Sequence, residues 1–121
     1  MMKLIRAILL GGSVLITQAC VPVTPEQVFS RASRSVVMVY AADTSHKIVG
    51  RGSGVFVDKD ILVTNCHVIA RGKIFLVGHR QARLPARLMA YDADKDLCVM
   101  EVRGLDATPA RIGDANAVRV G

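Results

Sequence analysis

The chain has 121 residues, 51% of them apolar, which is enough for one small hydrophobic core and excludes a disordered or low-complexity chain. Its formal charge of +6 falls to fourteen basic against ten acidic side chains from Cys20 onward, once Lys3 and Arg6 are set aside. The basic residues are scattered singly and Tyr40 and Tyr91 stand far apart, so no nucleic-acid partner is expected; a weak attraction to an anionic membrane surface is the most this balance supports.

The first segment is an address. Lys3 and Arg6 precede an apolar run from Ala7 to Thr17, with small or polar residues after it, the order of a secretory signal. The run is shorter than the roughly 20 apolar residues that a transmembrane helix needs. Ile16-Thr17-Gln18-Ala19-Cys20 resembles a bacterial lipobox, with Thr17 and Gln18 where Leu and a small residue are usual. That resemblance makes Cys20 a lipidation candidate and the membrane a partner through its anchor; ordinary signal cleavage at the same bond is the alternative. Export implies an oxidising compartment, in which Cys66 and Cys98 remain either as a disulfide or as two buried thiols.

Thr24-Pro25-Glu26-Gln27 combines a Thr cap, a Pro at the first helical position and a Gln at the third, and so starts a short helix. Beyond it the texture turns β-branched. Ser35–Ala42, Ile48–Arg51, Gly54–Val57, Ile61–Thr64, Lys73–Val77, Leu84–Tyr91 and Leu97–Val102 read as strands. Turn chemistry at Asp43-Thr44-Ser45, Asp58-Lys59-Asp60, Arg71-Gly72, His79-Arg80-Gln81 and Asp92-Ala93-Asp94 separates them. Strands at close intervals without long amphipathic helices predict an all-β antiparallel barrel or sandwich. The stretch from Ala107 is less regular, and Val118-Arg119-Val120-Gly121 reads as the start of a further strand.

Three stretches carry the chemistry: Gly50-Arg51-Gly52-Ser53-Gly54-Val55-Phe56-Val57, Leu62-Val63-Thr64-Asn65-Cys66-His67-Val68-Ile69, and Asp92-Ala93-Asp94-Lys95-Asp96-Leu97-Cys98-Val99-Met100. Their order and spacing resemble the N-terminal half of trypsin-like (chymotrypsin-fold) serine proteases, most closely the bacterial DegP/HtrA group. There a Gly-Ser-Gly strand leads to Thr-Asn-x-His-Val, and an Asp-Leu-Ala-Val-like strand follows. Cys66 takes the variable position and Cys98 replaces the usual Ala. The resemblance implies a six-stranded antiparallel barrel, polypeptide substrates, no cofactor and a possible homo-oligomer. It makes His67 the catalytic general base and Asp96 the carboxylate that orients it. The residues support that pairing: a His where the chain leaves a strand is presented at a barrel rim, held there by the short Cys66–Ala70 turn, and an Asp opening a distant strand can meet it. Asp94 is the nearest competitor to Asp96.

The nucleophile is missing from the pattern. The family's Gly-x-Ser-Gly-Gly-like loop does not occur here, and Ser53 belongs to the strand before the histidine. The expected organisation is therefore a signal peptide of lipoprotein type over residues 1–19, a short linker over 20–24, and an incomplete N-terminal barrel of a trypsin-like peptidase over 25–121. Such a piece is predicted to be inactive alone, whether by natural truncation or as a sequence fragment. A second reading is a non-catalytic, membrane-anchored β-barrel lipoprotein that binds a partner. A metal site at Cys66, His67, Asp96 and Cys98 is disfavoured, since adjacent Cys66 and His67 tend to point apart and no Cys-x-x-Cys spacing occurs. Gly50–Gly54 is no phosphate loop, because a strand rather than a helix follows.

Overall fold

The computed structural model describes residues 22–79 and 81–119. The signal-peptide and lipidation assignments, Cys20 included, lie outside the described residues.

Helix α1, Pro25–Ala32, begins as its sequence dictates. Gln27 N donates to Thr24 Oγ1 at 3.3 Å, Thr24 N donates to Gln27 Oε1 at 3.1 Å, and Pro25 occupies a position whose missing N–H costs nothing. Six strands follow: β1 Val36–Ala42, β2 Ile48–Asp58, β3 Ile61–Thr64, β4 Ile74–His79, β5 Ala82–Asp92 and β6 Leu97–Glu101. A one-turn helix, α2 Cys66–Ile69, sits between β3 and β4. The strands close into an antiparallel barrel in the order β1-β2-β3-β6-β5-β4. Closure pairs every strand on both sides and leaves no long free edge.

Alternate residues of each strand point inward. Val37, Val39 and Ala41 of β1 meet Phe56, Leu62, Val77 and Met100 in the core, and Val68 and Ile69 of α2 close one end. Turn residues act locally. Asp43 Oδ1 accepts from Ser45 N, Ser45 Oγ and Lys47 N, while Asp60 takes φ 61° in the β2–β3 hairpin. Pro85 is tolerated in β5 because that part of the strand pairs only with β4.

Two sequence expectations change. Ile48–Arg51 and Gly54–Val57 are one strand, because Gly50, Gly52 and Gly54 continue β2 instead of breaking it. An added Cβ at Gly52 would lie 2.5 Å from Val68 Cγ2, and at Gly54 2.9 Å from both Leu62 Cδ1 and Val39 Cγ2. The glycines therefore face inward, where other side chains fill the space they leave. The connection Cys66–Ala70, read as a turn, is the helix α2, too short to show a helical period in sequence.

Candidate active site

The β3–α2 junction carries His67 and the β5–β6 turn carries Asp96. Their separation in sequence is removed by the β3–β6 ladder, in which Thr64 pairs with Cys98. That register places the residues just after Thr64 beside those just before Cys98. Thr64 is itself buried, and its hydroxyl donates to Ser53 O at 2.8 Å, which ties the end of β3 to β2. The helix α2 rests on glycines of β2. A Cβ at Gly50 would stand 2.1 Å from Val68 O, a backbone atom that cannot yield without moving the helix. Gly50→Ala is thus expected to destabilise the barrel by about 1–3 kcal/mol and to shift the His67 backbone amide resonance. An unchanged unfolding midpoint would count against this packing.

Asp96 holds His67 twice. His67 N donates to Asp96 Oδ1 at 2.9 Å, and His67 Nδ1 lies 2.5 Å from Asp96 Oδ2. An ionised carboxylate only accepts, so Nδ1 carries a proton, and in the neutral ring Nε2 is the nitrogen left with its lone pair. Nε2 has no protein partner among the described residues. The side chains are 73% and 40% exposed, so the pair sits open on the barrel rim. Asp94, the competing carboxylate, makes no side-chain contact with His67 among the described hydrogen bonds and ion pairs.

The His67 backbone N–H, followed by its ring, holds the Asp96 carboxyl below the ordinary carboxylate value of 3.8. Because the folded pKa is lowered, the contribution to stability is present above the unfolded value and is lost as pH falls through the folded one. A carbon-detected titration of the full chain is expected to give an Asp96 midpoint below 3.8. Since the largest cause is a backbone group, part of the depression should survive His67→Ala. A midpoint at or above the ordinary value would mean that the contact is not made in solution.

Cys66 and Cys98 form a disulfide with Cα atoms 5.0 Å apart and a sequence separation of 32. The bridge leaves neither thiol to bind metal and joins the residue before His67 to the strand that Asp96 opens. Among the described residues, no group of three or more His, Cys, Asp or Glu side chains converges on a common point. His46, at φ 66°, lies in the β1–β2 connection and His79 ends β4; neither approaches this pair. Ser53 is a strand residue opposite Met38 in β1. Sequence reasoning assigned no part to Asn65, whose Nδ2 donates to Asp96 O at 3.0 Å. Its signal was an amide residue at the turn between strand and histidine.

The arrangement is an imidazole held in one tautomer by a carboxylate, and the surrounding chain matches a known family. The model of the trypsin-like peptidase domain matches residues 52–121. The chain belongs to the trypsin-like peptidase family. It is 32% identical over 121 residues to the chloroplastic Protease Do-like 5 of Arabidopsis thaliana, covering 77% of this chain and 38% of that protein. It is 31% identical over 81 residues to a probable periplasmic serine endoprotease, DegP-like, of Pseudomonas savastanoi, covering 65% of this chain and 17% of that protein. The serine endoprotease of Yersinia pestis superposes with a TM-score of 0.67 at 29% identity, over 77% of this chain and 34% of that one. This chain thus spans well under half the length of the relatives it matches, as an N-terminal part of a DegP-group protease. The fold is the expected six-stranded antiparallel barrel with one short helix before it.

Proposed function

We propose that this chain supplies the general base, His67, and its orienting carboxylate, Asp96, to a serine endopeptidase acting on exported polypeptides. The observation that carries this reading is the two-point grip of Asp96 on His67, which leaves Nε2 free to take a proton from a serine hydroxyl. The nucleophile and the backbone N–H groups that stabilise the oxyanion come from residues outside these 121, because no Gly-x-Ser-Gly-Gly-like loop occurs among them. Exposed Ile112 and Val118, in the segment after β6, are apolar surface that a neighbouring barrel would cover. Export is supported by the charged-then-apolar N-terminal run and by the periplasmic relative, with Cys20 as a lipid anchor.

The gene read beyond the Gly121 codon supplies the test. The extended product is expected to cleave an unfolded protein such as casein, to lose that cleavage with His67→Ala, and to lose it when shortened to the 121 residues. Cleavage that survives His67→Ala, or the absence of a Gly-x-Ser-Gly-Gly-like segment in the extended sequence, overturns the reading.

A further inference from the structure

The His67–Asp96 contact is open to solvent, so burial does not impose its geometry; the backbone around it does. Asp96 has φ 51°, the left-handed region that residues other than glycine rarely adopt and that Asp and Asn tolerate best. Donors from three consecutive residues, 65 to 67, converge on this one residue. Asn65 Nδ2 and Cys66 N, at 3.0 and 3.2 Å, both donate to the Asp96 carbonyl. His67 N and Nδ1 take the two carboxylate oxygens.

Asn65 stands at the N-cap of α2, where an Asn side chain ordinarily accepts from the N–H of the second or third helical residue. Here it makes no such bond. The N–H it would have capped, that of His67, is instead satisfied by Asp96 Oδ1. The two residues have exchanged tasks: Asp96 caps the helix from the β5–β6 turn, and Asn65 holds the peptide of Asp96.

We propose that Asn65 is a positioning residue for the catalytic pair, its side-chain amide fixing the carbonyl of Asp96 so that both carboxylate oxygens face His67. The proposal rests on the protease reading of His67 and Asp96. A second donor on the carbonyl removes the freedom of the 96–97 peptide to rotate out of its left-handed conformation. Without it, the β3–β6 ladder, the Cys66 N–Asp96 O bond and the disulfide still join the two elements, but the carboxylate can swing away from the ring.

The experiment uses Asn65→Ser in the full chain. Serine is as good a cap for α2 as asparagine, yet its hydroxyl is too short to reach the Asp96 carbonyl as well as Asn65 Nδ2 does. The expected result is loss or broadening of the low-field His67 Nδ1–H proton resonance and a rise of the Asp96 titration midpoint toward its ordinary value. The barrel amide spectrum and unfolding midpoint should stay near the parent's. Asn65→Ala should give the same two changes, and because the Asn65 side chain makes no capping bond to α2 it should cost little helix stability. If Asn65→Ser leaves both the low-field resonance and the Asp96 titration at parental values, Asn65 only decorates the turn, and the proposal is overturned. A variant that does not fold also overturns it, since that makes the role structural. These readouts require no cleavage, so they stand apart from a failure of the protease reading, which the His67→Ala assay detects.

Discussion

Asp96→Asn is expected to lower kcat of the proposed protease by about 10⁴-fold, the scale on which neutralising the carboxylate of a Ser-His-Asp triad acts. The local geometry explains why an isosteric change should be so costly. His67 N needs an acceptor, so the carboxamide oxygen would take the place of Oδ1 and turn the amide nitrogen toward the ring in place of Oδ2. A donor facing Nδ1 makes that nitrogen an acceptor, which moves the ring proton to Nε2. The base then presents a proton to the serine hydroxyl where it should present a lone pair. A nitrogen-15 spectrum of the full chain reads this directly: Nδ1 is expected to be protonated in the parent and unprotonated in the variant. The barrel should remain folded, because the backbone bond to His67 is kept. If Nδ1 stays protonated in the variant, the tautomer account is wrong.

Removing the disulfide is expected to have the largest effect on stability. The bridge closes a loop of 32 residues, and on the chain-entropy model such a closure stabilises by about 3–4 kcal/mol. A barrel of this size depends on it more than a large domain would, because small cores leave little margin. Cys66→Ala with Cys98→Ala, or reduction of the parent, should lower the thermal midpoint by more than about 10 °C. Coincident unfolding curves for the oxidised parent and the double variant would contradict the expectation. Cys98 is 3% exposed, so alanine is the appropriate replacement; serine would add the cost of an unpaired buried hydroxyl. The local consequence should appear first at His67, which follows Cys66 directly.

The legibility of the fold varied with the range of its signals. Strand β3 was readable to the residue, because Ile61–Thr64 is a short β-branched run bounded by a turn and by Asn65. Helix α1 was readable from four residues, since its capping box is local chemistry. The β2 glycines misled, because glycine breaks a strand unless another element fills the space it leaves. What fills it is Val68 beside Gly50 and Gly52, and Leu62 with Val39 beside Gly54, brought there by the fold. The turn before Ala70 concealed the helix α2 because a single turn has no periodicity to detect.

The candidate site divides in the same way. The motif order singled out His67 and Asp96, and the amino-acid types alone defined what each could do: an imidazole near neutrality can act as a base, and a carboxylate can only accept its proton. The sequence left open whether Cys66 and Cys98 were bridged, because loop closure depends on where two Cα atoms stand and not on what the residues are. It was equally silent on Asn65, whose partner lies 31 positions away in the β5–β6 turn. Residue chemistry is carried by the sequence one position at a time. Distance, register and the exchange of hydrogen-bond partners between Asn65 and Asp96 exist only once β3 and β6 pair, and tertiary structure alone decided them.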